Sequence, residues 1–381
     1  MATIKDRYAI AGIGHTEYSH NSGRSELHLA LEAITAAVED AGLDFKNIDG
    51  IVGDNPSRVD VMTIGSALGL QKFGFFIETE FAGGGVPSGL LHAIAGMEAG
   101  RATHVVCYKA LNGSSKQSVP AFEFVVQPHE LGFTKPFGLL APVAYAALAA
   151  RRHMHQWGTT SRQFGAIALA CRKHANRNPN AIMHEKPMTI EDHQQSNLIA
   201  DPLRQLDCYV EADGAAACVV TSAERARDLK QQPVYIMAAS QACGPSLSCG
   251  TIDPSIKENE TTVLARNLFS MAGLTHGDID VLQIYDDFTP LVLMALEDLG
   301  FCEKGEGGKF VEGGRLEWPD GKLPMNTAGG NLSEGCIEGF NHIIEAVKQL
   351  RGVSSAQVRD AEVVLVSGAN GVATSGLILR R

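Results

Sequence analysis

Cysteine is the first residue type to weigh for chemistry. Eight are spread along the 381 residues, at Cys107, Cys171, Cys208, Cys218, Cys243, Cys249, Cys302 and Cys336, with no Cys-x-x-Cys pair. Zinc ribbons and dithiol redox motifs need such pairs, so no metal site is expected in this chain. Free cysteine mostly packs as a small hydrophobe, which leaves context to single out a working thiol. His153 and His155 lie two residues apart and cannot share a helix face, so they are not read as ligands. Gly83-Gly84-Gly85-Val86-Pro87-Ser88 is a glycine-rich turn feeding a helix. Its backbone N–H groups suit an anion or an oxyanion, the alternative being a plain turn. In Tyr285-Asp286-Asp287-Phe288-Thr289-Pro290 the two acids are expected to cap the following helix. Asn326 either orients a water or carbonyl or forms the turn before Gly329-Gly330.

The elements that position these residues show an internal repeat. Ala41-Gly42-Leu43 and Ala272-Gly273-Leu274 are each followed, after three residues, by an acid or amide, Ile and Asp. In each copy a helical pattern precedes the motif (25–41 and 261–272) and an apolar strand follows it (50–53 and 281–285). Further strands are expected at 8–14, 103–108, 214–220, 233–238 and 362–366, and helices at 88–99, 142–157, 161–176, 290–299 and 334–350. The alternation predicts layered α/β architecture. The first half is placed at 1–232, with an inserted loop or lid region at 114–213, and the second at 233–381. Two similar αβ halves direct attention to where they meet.

A net charge of −11 argues against nucleic acid or an anionic membrane as the main partner. Apolar residues at 45% and charged residues at 20% are an ordinary globular balance. No apolar run is long enough to span a bilayer, and the first residues lack a signal-peptide core, so a cytoplasmic protein is expected.

Four strings in order, Phe81-Ala82-Gly83-Gly84-Gly85, Asp213-Gly214-Ala215-Ala216, Tyr285-Asp286-Asp287-Phe288-Thr289-Pro290 and the run from Asn326 through Gly329-Gly330 to Cys336, resemble the thiolase superfamily. The closest resemblance is to its sterol-carrier-protein-type branch. It covers essentially the whole chain and implies a layered α-β-α-β-α core with coenzyme A thioesters as substrates. It also implies a dimeric core, and in one branch a small zinc-ribbon/OB-fold subunit that would carry the zinc. Relatives ordinarily carry a nucleophilic cysteine at the junction that here reads Gly83–Gly89. They carry histidines where Tyr285 and Cys336 stand, and a second cysteine in the turn Gly368-Ala369-Asn370-Gly371. Their standard residues are therefore missing.

The resemblance then implies two chemistries. The first is thiolase cleavage or formation of a carbon–carbon bond in a bulky, aromatic β-oxoacyl-CoA such as benzoylsuccinyl-CoA, with free coenzyme A as acyl acceptor. Cys336, read as lying near a helix N-terminus that favours thiolate, would be the nucleophile. Tyr285 would transfer a proton, Gly84 and Gly371 would supply oxyanion N–H groups, and Asn326 would orient. Lys116 and Lys135 bracket the lid and would meet coenzyme A phosphates, with His129, Ser88 and Gly330 along the same ligand. Steroid side-chain aldolases are implied to carry tyrosines at the positions matching Tyr285 and Cys336, and the exchange of that second phenol for a thiol at residue 336 favours thiolysis. The alternative is retro-aldol cleavage of a β-hydroxyacyl-CoA, as in steroid side-chain aldolases, with Tyr285 as base and Cys336 as space for substrate. A homologue that only binds acyl-CoA or lipid is the third reading.

Overall fold

A computed structural model describes residues 4–54, 59–70, 73–79, 82–115, 132, 134–244, 253, 255–371 and 373–381. The first half contributes β1 (Tyr8–His15), α1 (Glu26–Ala41), β2 (Gly50–Asp54), α2 (Val61–Ala67), β3 (Phe75–Thr79), α3 (Ser88–Glu98) and β4 (His104–Asn112). The inserted segment holds α4 (Pro142–Trp157), α5 (Ser161–Ala175), α6 (Ile190–Gln195) and the short strands β5 (Leu198–Ala200) and β6 (Leu203–Arg204). Then come β7 (Asp213–Ser222), α7 (Ala223–Ala226), β8 (Val234–Ala242), α8 (Glu260–Ala272), β9 (Val281–Ile284) and α9 (Thr289–Asp298). The chain closes through α10 (Gly307–Phe310), α11 (Gly330–Ser333), α12 (Phe340–Arg351), β10 (Val363–Ser367) and β11 (Thr374–Arg380).

The repeat read from the sequence is a repeat of topology. In the first half β1 pairs antiparallel with β7, β7 antiparallel with β4, and β4 parallel with β2. In the second, β8 pairs antiparallel with β11, β11 antiparallel with β10, and β10 parallel with β9. The two Ala-Gly-Leu motifs sit at equivalent points. Helices α1 and α8 both stop on a left-handed glycine, Gly42 at φ 73° and Gly273 at φ 66°, a conformation that costs glycine little. Each then passes through a single 3-10 turn, Phe45–Asn47 or His276–Asp278, into its strand.

Two residue pairs between β1 and β8 join the strands into one nine-stranded mixed sheet. Apolar side chains leave both faces of each half, so three cores form. Helices α1 and α2 cover the outer face of the first half through Leu29, Ile34, Val38 and Ile64. Helices α3 and α12 fill the middle layer through Leu90, Ile94, Ile343 and Val347. The outer face of the second half packs against α5, α8 and α9, and the inserted helices thus lean on the half that follows them. The order is α-β-α-β-α, as the two-half reading predicts. Strand alternation is visible on β10, where Val364 and Val366 face the middle layer and Leu365 the outer one.

One expected element is broken. The helix expected over 334–350 starts at Phe340, and residues 334–339 form a loop. Gly335 (φ 147°), Glu338 (φ 47°) and Gly339 (φ 87°) all leave the right-handed helical region, so the helix cannot run through them. No helix among the described residues is long and apolar enough to cross a membrane.

Candidate active site

Strand β9 delivers Tyr285 to the seam between the halves. Asn326, itself at φ 51°, holds the end of that strand: its Oδ1 accepts the Ile284 N–H at 2.9 Å and its Nδ2 donates to the Ile284 carbonyl at 2.8 Å. The Tyr285 N–H donates to the Ser367 carbonyl on β10 at 3.0 Å. The ring then lies flat against the first half, where a Cβ on Gly83 would collide with it. The Gly83 and Gly84 carbonyls are tied back to the second half by the Ala369 N–H (3.2 Å) and the Ser375 hydroxyl (2.6 Å). Both halves therefore build one wall around one phenol.

The two acids after Tyr285 do different work from the capping expected of them. Helix α9 starts after Phe288, which makes no side-chain cap. Asp286 is wholly buried and turns instead to the short helix α11, accepting the N–H groups of Asn331 (2.8 Å) and Leu332 (3.3 Å). His342 Nε2 lies 3.0 Å from its Oδ1. Gly330, expected along coenzyme A, serves this contact: any Cβ there would strike the Asp286 carboxylate.

Asp287 keeps a partial opening to solvent and receives the Phe288 N–H at 2.9 Å. Burial, with Asp286 and Glu338 adding to it, pushes its carboxyl up to about 7. A carboxyl poised near neutrality beside a phenol is an arrangement suited to proton transfer. The Tyr285 phenol is raised well above its ordinary value by burial, then by Cys336, Asp287 and Glu338, so it keeps its proton at neutral pH.

Cys336 is 8% exposed and, after burial, is the group that acts most on the Tyr285 phenol. It stands in the loop between α11 and α12, four residues short of the helix start, beyond useful reach of the helix dipole. Burial pushes its thiol well above the ordinary value, and the Glu338, Asp287 and Asp286 carboxylates push the same way. The expected place at a helix N-terminus is corrected by the loop at 334–339, and the carboxyl groups around the thiol do not supply the positive potential that activates one.

Two pocket groups went unseen in the sequence. Lys109 on β4 is wholly buried, on the face it shares with Val105 and Cys107. Its Nζ lies 3.3 Å from Glu338 Oε2, an ion pair between the halves. A lysine at an inward position of the run His104–Asn112 was a visible signal, since that face is otherwise apolar. Tyr209 enters from the end of the inserted segment, its N–H donating to the Asp287 carbonyl at 2.9 Å. Nothing in its local sequence marks it.

The remaining expected residues separate clearly. Gly84 belongs to the wall beside Tyr285. Gly371 already donates its N–H to Glu260 Oε1 at 2.6 Å, so it is not open to an oxyanion. Ser88 donates its hydroxyl to the Gly85 carbonyl (2.6 Å) and its N–H meets Ser375 Oγ (3.0 Å). It therefore anchors α3 to β11 instead of facing a ligand. Asn326 is likewise consumed by Ile284 and positions Tyr285. Lys135 is exposed on a one-turn helix. Lys116 and His129 lie outside the described residues. Among the described residues no cluster of three or more His, Cys, Asp or Glu side chains forms a metal site.

A two-half α-β-α-β-α fold with its pocket at the seam defines the thiolase class of proteins. The thiolase C-terminal domain-like family profile matches residues 252–379. The 17-hydroxy-3-oxo-4-pregnene-20-carboxyl-CoA lyase of Mycobacterium tuberculosis is 44% identical over 385 residues, 99% of this chain and 100% of that protein. The steroid side-chain-cleaving aldolase of Thermomonospora curvata is 41% identical over 391 residues, covering 100% of this chain and 99% of its own. The solved Ltp2–ChsH2(DUF35) aldolase superposes with a TM-score of 0.93 at 41% identity, covering 100% of this chain and 99% of that one. The chain belongs to the thiolase superfamily, in its sterol-carrier-protein-type branch. These similarities, to a lyase and aldolases, overturn the preference for thiolysis of an aromatic β-oxoacyl-CoA and support the alternative set beside it.

Replacing Lys109 with Met is expected to leave the Glu338 carboxylate buried without its counter-charge and to lower stability by on the order of 3 kcal/mol. Urea denaturation of wild type and K109M at neutral pH measures this. An unchanged midpoint would show that Glu338 finds solvent instead.

Proposed function

We propose that the chain is a retro-aldolase that cleaves a β-hydroxyacyl-CoA carrying a bulky polycyclic, steroid-like acyl group. The observation that carries this reading is full-length similarity above 40% identity to a lyase and an aldolase of steroid side chains. The pocket chemistry agrees with it, offering a phenol and a near-neutral carboxyl where an activated thiol is disfavoured.

The reaction needs a base for the β-hydroxyl and stabilisation of a thioester enolate. Asp287 as carboxylate takes the β-hydroxyl proton, with the Tyr285 hydroxyl as relay or hydrogen-bond donor beside it. The alkoxide collapses to a ketone, and the electron pair of the breaking Cα–Cβ bond moves into the thioester as an enolate. The proton held by Asp287 then returns to Cα. One β-hydroxyacyl-CoA becomes one ketone and one shorter acyl-CoA, with neither water nor free coenzyme A consumed. Backbone around Gly84 is a candidate for part of the enolate site, and Lys135 for coenzyme A phosphates. The neutral Cys336 thiol gives the acyl group room. By analogy with the Ltp2–ChsH2(DUF35) assembly, a small DUF35-type subunit is the expected partner, and any zinc would be that subunit's.

Incubation with the steroid β-hydroxyacyl-CoA is expected to yield equimolar ketone and short acyl-CoA with the free coenzyme A pool unchanged. Stoichiometric consumption of coenzyme A would overturn the reading. If Asp287 is the base, kcat/KM rises with pH through an inflection near 7, because the raised carboxyl stays protonated and inactive below it. Asp287→Asn should remove that inflection and lower kcat by roughly 100-fold or more. An unaltered profile in D287N would exclude Asp287 as the base. Cys336→Ala should keep kcat within about tenfold of wild type, since no covalent intermediate is formed there. A collapse of turnover in C336A would restore the thiol to the chemistry.

A further inference from the structure

We propose that Tyr209 is a second phenol of the reaction pocket, its hydroxyl donating a hydrogen bond to the thioester oxygen as the enolate forms. This deepens the retro-aldolase reading and rests on it.

The segment around Tyr209 is sewn to both edges of the pocket. On one side the Tyr209 N–H donates to the Asp287 carbonyl at 2.9 Å, and the ring packs edge-on against Phe288 with centroids 5.9 Å apart at 68°. On the other, the Val210 N–H donates to the Asn331 carbonyl and the Cys336 N–H donates to the Val210 carbonyl, both at 2.9 Å. Glu211 and Cys336 complete a parallel bridge. Residues 209–211 therefore span the gap between the Tyr285–Asp287 turn and the loop that carries Cys336.

The side chain is half-buried, and among the described residues its hydroxyl has no hydrogen-bond partner. A half-buried hydroxyl not taken up by the protein can donate to a bound molecule. Burial, then Cys336, Glu211, Asp287 and Glu338, raises the phenol above its ordinary value. It thus remains protonated at any pH where Asp287 titrates, as a donor must. The Tyr209 phenol has the smallest effect of the groups that raise Tyr285, and its backbone bond to the Asp287 carbonyl sets it two residues from that phenol. Tyr285 is held between Gly83 and Gly339 next to the proposed base, which leaves Tyr209 for the oxygen of the thioester.

The test is Tyr209→Phe, which keeps the ring and its contact with Phe288 and removes only the hydroxyl. Full-length wild type and Y209F, each with any subunit that co-purifies, are assayed on 17-hydroxy-3-oxo-4-pregnene-20-carboxyl-CoA, and thermal midpoints are recorded for both. The expected result is a kcat about 100-fold lower, the scale of losing one oxyanion donor, with KM within about threefold and an unchanged midpoint. Turnover within about threefold of wild type, or a rise in KM alone, would overturn the proposal by showing that the ring packs or binds without acting on the enolate. Tyr209→Leu checks the packing separately and is expected to lower the thermal midpoint where Y209F does not; a lower midpoint in Y209F itself, accounting for its lost activity, would also count against the proposal. If wild type forms neither ketone nor short acyl-CoA, the retro-aldolase reading fails and this inference falls with it. Failure in Y209F alone leaves that reading standing.

Discussion

Negative charge held out of water at the seam of the two halves is the constraint on which the site depends. Three carboxyl groups, Asp286, Asp287 and Glu338, converge within a few residues of Tyr285 and Cys336. Each is treated differently. Asp286 accepts two backbone N–H groups of α11, with His342 Nε2 3.0 Å from its Oδ1, and it ties the Tyr285 turn to that helix. Glu338 is set against Lys109 from the opposite half. Asp287 receives the Phe288 N–H, with no cation paired to it among the described residues, and burial pushes its carboxyl up to about 7. Desolvated charge must be paired or neutralised, and this pocket does both, with the neutralised member beside the phenol.

The duplicated architecture makes that arrangement possible. Each half carries a parallel strand pair, β2 with β4 and β9 with β10, and turns from both halves reach one seam. The first half supplies glycine backbone at Gly83 and Gly84 and the Lys109 charge. The second supplies Tyr285, the acids and the loop of Cys336. Close approach of the halves requires the missing side chain at Gly83, since the Tyr285 ring fills the space a Cβ would take. The strained Glu338 backbone, at φ 47°, is held where a carboxylate can reach Lys109. Strain of this kind persists only where surrounding contacts over-determine it, and here an ion pair across the seam is one of them.

The architecture was legible in the sequence because it is written locally. Gly42 and Gly273 stop their helices by their own conformational freedom, and apolar runs such as Val281–Ile284 declare strands buried on both faces. The seam was legible as a place, since a repeat implies a junction. The roles within it were not. Cys336 looked activated because residues 334–350 carry a helical pattern, yet three positive-φ positions interrupt it before Phe340. The break coincides with Tyr285 lying against Gly339 and Lys109 pairing with Glu338, contacts between residues distant in the chain. Asp287 read as a cap because acid before proline is a common cap pattern, and only three-dimensional burial separates it from Asp286. Asn326 and Ser88 spend their side chains on backbone groups, and Gly330 makes room for the Asp286 carboxyl, none of which their local sequence declares.

The same electrostatics bear on which carbon–carbon chemistry the pocket favours. Thiolysis through Cys336 would add a thiolate to a wall that already holds three carboxyl groups, and burial opposes each added charge. Retro-aldol cleavage adds none. In the proposed reaction the negative charge begins on Asp287, passes to the substrate alkoxide as the proton is taken, and moves to the enolate as the bond breaks. It returns to Asp287 when Cα is protonated. The pocket carries the same net charge at every stage, and the phenols need only stabilise its displacement over a few ångströms. Moving a charge within a preorganised site demands less reorganisation than creating one there. A wall of acids hostile to a thiolate is thereby compatible with a base that lends its charge to the substrate and takes it back.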